Sequence, residues 1–184
     1  MRRKTVLNIL LILLVLAFFV TPLGYQVKLL LNRIFSFSPS VIPVSERMTI
    51  SDYDWKLKDA NWEVFNFRRS EGKVVFLNFW ASWRLPCAAE LRSVDELYNK
   101  YGDSVDFYII TDEEREPVLE FMQENDFHFP VTYLLIGEDY PVDPSDPPHS
   151  YIIGKNGGIA VNQKGIADWD NSKVYGLLDD LIAK

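Results

Sequence analysis

The first strong pattern along the chain is an apolar run. Thr5 to Val27 carries no charge and is dominated by Leu, Ile, Val and Phe, enough for a helix at 1.5 Å per residue to cross a bilayer core of about 30 Å. Arg2, Arg3 and Lys4 precede it and place the N-terminus on the cytoplasmic side, with everything after Val27 across the membrane. Val6 to Val20 could also serve as the apolar region of a signal peptide, but Phe18 to Pro22 offers no small-x-small cleavage site, so a retained anchor is expected. Val27 to Phe35 stays apolar with Lys28 and Arg33 placed to reach headgroups, and Ser36 to Ser40 reads as a tether. The chain divides into an anchor over 1–35 (span about 5–27), a linker over 36–47 and one domain over 48–184.

Periodicity then changes. Trp55, Leu57, Val64, Phe65 and Phe67 alternate about a turn at Asp59-Ala60-Asn61, which predicts a hairpin. Lys73 to Trp80 lacks polar alternation, as a strand buried on both faces does. A helix follows Trp83, with Pro86 in its first turn and Leu91, Val94, Leu97, Tyr98 and Tyr101 as its apolar face, ending at Gly102. Val105 to Ile110 predicts a strand, Glu114 to Asn125 a helix with Val118, Leu119, Phe121 and Met122 inward, and Val131 to Ile136 a further strand. Gly137 to Pro148, rich in proline and acid, predicts an irregular loop. Tyr151 to Ile153 and Ile159 to Gln163 flank Lys155-Asn156-Gly157-Gly158, a hairpin signal, and Ser172 to Ile182 predicts the last helix. Strand, helix, strand implies parallel pairing, so the fold class is α/β, a central mixed sheet flanked by helices.

Charge narrows the partners. Five of the 19 basic residues lie before Ser36 while all 26 acidic ones lie after it, so the domain is strongly acidic and nucleic acid is not an expected partner. The bland reading of that acidity is solvation. The single cysteine excludes an internal disulfide, leaving stability to packing. Trp55, Trp62, Trp80 and Trp83 are read first as core and rim residues.

The chemistry centres on Trp83-Arg84-Leu85-Pro86-Cys87. With Gly72 to Ser82 before it and Pro147-Pro148-His149-Ser150-Tyr151-Ile152-Ile153 after it, it resembles the membrane-anchored thioredoxin-like reductases of the TlpA/ResA type from about Tyr53 onward. That resemblance implies a thioredoxin-like fold facing the periplasm from the inner membrane, a cis peptide before Pro148, and a groove lined by Trp83, Arg84, Pro86, Pro148 and His149 that holds extended peptide. It also implies that Arg84 stands where the attacking cysteine would, and Arg92 where a helix-kinking proline would. Dithiol exchange needs one thiolate to attack and a second to resolve, so Cys87 alone cannot perform it.

Three chemistries remain to weigh. Cys87, one turn into the helix, is raised in pKa by burial and lowered by Arg84, and its bland reading is a packing thiol. A one-cysteine peroxidase would need the peroxide-positioning threonine, but Trp80 and Arg84 hold the motif positions. A copper site would have to combine Cys87 with His128 and His149, and lacks a second thiol. Glu90 and Asp95 read as solvated or capping acids. No metal or cofactor is expected. The resulting expectation is a non-catalytic module for an extracytoplasmic protein or peptide, with a thiol oxidoreductase or antioxidant working through Cys87 as the alternative.

Overall fold

The computed structural model describes residues 3–34, 36–135, 137 and 139–184. Arg2, the side chain of Arg33, the apolar stretch's end at Phe35, the strand end at Ile136, and Glu138 lie outside the described residues.

The apolar N-terminal run is two helices, not one: α1 (Arg3–Val20) and α2 (Pro22–Ile34). The break is locally determined. Pro22 cannot donate a backbone hydrogen bond, and its fixed φ suits the first position of a helix. The Thr21 hydroxyl accepts from Gly24 N at 3.2 Å, capping α2. A Cβ on Gly24 would stand 1.9 Å from the Phe18 carbonyl oxygen, so only glycine permits this approach of the two helices. Within α1 no side chain is buried, and its apolar composition and length satisfy what a membrane crossing requires.

The remainder is a mixed sheet in the order β2-β1-β5-β4-β3-β6-β7. The strands are β1 (Lys56–Lys58), β2 (Val64–Asn66), β3 (Val75–Phe79), β4 (Asp106–Thr111), β5 (Val131–Leu134), β6 (His149–Ile153) and β7 (Ile159–Lys164). The helices that follow the anchor pair are α3 (Leu85–Tyr101), α4 (Arg115–Asn125) and α5 (Ser172–Ala183). β3, β4 and β5 are parallel neighbours, and β6 returns antiparallel beside β3. Because β3 to β4 and β4 to β5 step the same way, two right-handed crossovers put α3 and α4 on one face. They share that face with α5: Leu91, Val94, Val118, Val174 and Leu178 pack there against Phe76, Trp80 and Ile109. The other face buries Val75, Leu77, Phe79 and Tyr151 beneath Ile50, Trp55, Phe67 and Val142.

One expectation for the helices needs correction. Leu119 was expected inward but is exposed, and Val118, one residue back, takes the buried position of α4. α3 runs unbroken through Arg92, whose guanidinium lies over Phe127 at 5.6 Å. The segment after the anchor lies along the domain: Ile42 N donates to Ala160 O at 2.8 Å and Asp168 N to Phe37 O at 3.0 Å.

Candidate functional site

The turn 80–84 and the start of α3 sit at the C-terminal ends of the parallel strands, where open α/β sheets present their crevices. Trp80 N donates to Ile110 O at 2.9 Å, tying the turn to β4. Glu113, just beyond β4, accepts from Ser82 N at 2.6 Å and from Ser82 Oγ at 2.7 Å. One carboxylate thus holds the turn through both its backbone and its side chain.

Arg84 occupies the N-cap of α3 without capping it by its side chain. Its guanidinium reaches across to the loop instead, Nη1 donating to Pro147 O at 2.7 Å, with the charge 5.0 Å from the Trp83 ring centroid. The Pro147–Pro148 peptide is cis. Trp83 is 71 % exposed, and Pro86 is exposed beside it. Behind the Arg84 bridge a crevice of about 230 Å³ opens between Ile110, Thr111, Leu134 and the loop residues Pro144, Ser145 and Pro147.

Cys87 is wholly buried. Burial pushes its thiol up to about 12, with the nearby Glu90 and Glu113 charges adding and the Ala81 backbone and Arg84 opposing. Arg84 therefore lowers the thiol pKa, as its charge requires, but desolvation wins. At neutral pH the sulfur is a buried, neutral thiol, the opposite of an activated nucleophile.

Glu90 and Asp95 are buried, not solvated, at 1 % and 2 % exposure. Glu90 accepts from Trp169 Nε1 and, at 3.3 Å, from Ser150 Oγ, which itself accepts from Asn78 Nδ2 at 2.8 Å. Its second oxygen finds no partner among the described residues. Burial raises this carboxyl to about 8, against the opposing hydrogen bonds, so the protonated acid prevails at neutral pH. Asp95 accepts from His128 N at 2.7 Å and lies 3.5 Å from the His128 ring.

His149 does not line the groove with Cys87. Side chains alternate across a strand: His149 shares the face of Phe79 and Tyr151, 4.5 Å from the Tyr151 ring, while Ser150 points to Glu90 on the face that holds Cys87. Its Nδ1 lies 3.1 Å from Ser145 O and its Nε2 2.8 Å from Asn162 Oδ1, leaving neither nitrogen for a metal. Cys87, His128 and His149 do not converge, and among the described residues no three His, Cys, Asp or Glu side chains form a cage for a metal ion.

Glu90 had a readable signal: Cys87, Glu90, Val94, Leu97 and Tyr101 recur at three- and four-residue steps on the buried stripe of α3. Glu113 had none, since Asp112, Glu113 and Glu114 are alike as sequence and only the return of β4 beside the turn singles one out.

Known proteins place this geometry. Residues 52–161 match the family model described as the AhpC/TSA family. The chain is 34% identical over 137 residues to the thiol-disulfide oxidoreductase ResA of Oceanobacillus iheyensis, covering 70% of this chain and 69% of that protein. It is also 34% identical over 129 residues to ResA of Bacillus cereus, covering 67% of this chain and 72% of that one. In structure it is similar to a DsbF homologue from Corynebacterium diphtheriae, with a TM-score of 0.61 at 19% identity over 78% of this chain and 99% of that one. A secreted thiol-disulfide isomerase from Corynebacterium glutamicum gives 0.60 at 18% identity, over 82% and 98%. The mixed sheet flanked by helices is thus a thioredoxin-like fold, and the chain belongs to the AhpC/TSA family as a relative of the ResA proteins.

Proposed function

We propose that this is a membrane-anchored thioredoxin-like protein whose groove holds an extended segment of an extracytoplasmic protein without thiol chemistry of its own. The observation that carries this reading is the inversion at the turn: the start of α3 bears the half-buried Arg84, and the one cysteine lies buried a turn further in. Arg84 stands where the resembled family would place its attacking cysteine. What remains is a recognition surface of exposed Trp83, the Arg84 guanidinium and the crevice beside the Pro147 carbonyl. Packing on Trp83 and into this crevice needs no thiolate. The α1 helix would cross the cell inner membrane with its N-terminus in the cytoplasm and the domain in the periplasm.

The names of the ResA relatives favour a second reading, an oxidoreductase that borrows a partner's cysteine. The buried, protonated Cys87 opposes it.

The test uses the full chain in lipid nanodiscs, with a cysteine-free unfolded polypeptide bearing a fluorophore as the probe. Binding should be seen by anisotropy, persist in Cys87→Ala and weaken severalfold in Ser145→Trp, which fills the crevice. Insulin disulfides should not be reduced above background. Cys87-dependent reduction, or binding that disappears with Cys87, would overturn the reading.

A further inference from the structure

α2 is gripped on one side only. Leu29 is buried against Ala88 and Ala89, with Leu85, Phe121 and Ile166 around them, so α2 lies directly on the first turns of α3, beside the candidate site. Leu23, Val27, Leu30 and Leu31 are all exposed, Leu23 at 75 %. At about 100° per residue they lie roughly 100–160° round the helix from Leu29. An apolar stripe therefore faces away from the domain: Leu23 and Val27 line the angle that α2 makes with Leu14, Ala17 and Phe18 of α1, and Leu30 and Leu31 carry the exposed stripe beyond it.

What covers it is indicated by the elbow. The Thr21 cap, Pro22 and the close approach of Gly24 to the Phe18 carbonyl turn the chain out of α1 at a fixed place. The inner side of that elbow, where Lys28 stands 4.8 Å from the Phe19 ring centroid, adjoins the apolar stripe and not the Leu29 face. The stripe is thus continuous with the candidate span. An apolar face joined to a span, with a lysine at its margin, has the composition of a helix lying in the bilayer interface.

We infer that α2 is a lipid-docking surface that holds the Trp83–Arg84 turn at the membrane, so that the groove addresses segments emerging at the bilayer surface. The inference rests on the anchored reading above. Lipid lies on one side of α2 and α3 on the other, so a single helix layer, about 10 Å thick, separates the site from the headgroups. The occupant of the stripe is lipid; a second protein covering it is an outcome the experiment can detect.

The experiment places a nitroxide on single cysteines of the full chain in a Cys87→Ala background, in vesicles of phosphatidylcholine and phosphatidylglycerol. Leu30→Cys reports the stripe, Trp83→Cys the turn, and Ser51→Cys the opposite face of the sheet. The Leu30 probe should be accessible to oxygen dissolved in lipid and shielded from an aqueous relaxing agent. Nickel chelated to headgroups should relax the Trp83 probe severalfold more than the Ser51 probe. Leu29→Asp should abolish that excess while the Leu30 probe stays in lipid. A water-accessible Leu30 probe, one buried from both agents by protein, or equal relaxation at Trp83 and Ser51 would overturn the inference. Flotation separates the two levels: a chain that floats with the vesicles yet gives these results keeps its anchor and loses the docking surface, whereas one that does not float loses both.

Discussion

Glu90 shows how one side chain ties folding to pH. Its folded pKa of about 8 lies above the ordinary glutamate value of about 4.3, so across that interval the folded chain holds a proton that the unfolded chain has released. The sign follows from linkage: stability from this group is fully present below about pH 4.3, falls as pH rises, and is gone above about 8. Glu90→Gln stays neutral throughout and keeps an acceptor for Trp169. Its urea midpoint should therefore pull ahead of the wild type progressively from pH 5 to pH 8 and run parallel above that. A constant offset over the whole range would mean that the carboxyl is ionised in the folded protein. Cys87 has the same sign in a different window, losing its contribution only as pH rises from about 9 toward 12.

At the scale of elements, the β6–β7 hairpin shows what a local signal fixes and what it leaves open. Asn156-Gly157-Gly158 reads as a turn from sequence, and Gly157 indeed has φ +78°. Sequence cannot show that the N-terminal segment crosses the turn, with Ile50 N donating to Gly157 O at 3.0 Å. A Cβ there would lie 2.9 Å from Ile50 O and 3.0 Å from the Tyr53 hydroxyl, whereas Gly72, at φ +80°, has open space around its Cβ position. Gly72→Ala should cost about 1–2 kcal/mol from the left-handed backbone alone. Gly157→Ala should cost measurably more in urea unfolding, because backbone must also move. Equal costs would mean that the crossing segment yields freely. The same limit explains Leu119 and Val118: adjacent apolar residues both fit an amphipathic pattern, and only the way α4 lies on the core buries Val118 and leaves Leu119 exposed.

At the scale of the molecule, element order, the parallel core and the irregular loop are legible, since strand and helix periods and turn residues act locally, whereas the cis peptide before Pro148 is what the family resemblance implies. The parts of the candidate site that depend on long-range juxtaposition are not legible. His149 falls on the wrong face by one residue of alternation, Glu90 is drawn inward by Trp169 from 79 residues away, and Arg84 finds its partner in a loop 63 residues distant. Thr21, Pro22 and Gly24 are readable as an interruption of the uncharged run, but the close approach of Gly24 to the Phe18 carbonyl is visible only in the structure. What these parts add up to is a thioredoxin-like frame in which the guanidinium is outside and the sulfur inside. The rate of Cys87 alkylation against pH, on the full chain with Arg84→Ala beside it, tests that arrangement most directly. The account predicts a slow reaction in both, with no inflection below about pH 9 and a rate that rises only as urea unfolds the domain. A fast reaction with an inflection near or below pH 7, abolished in Arg84→Ala, would show an activated thiolate and contradict it.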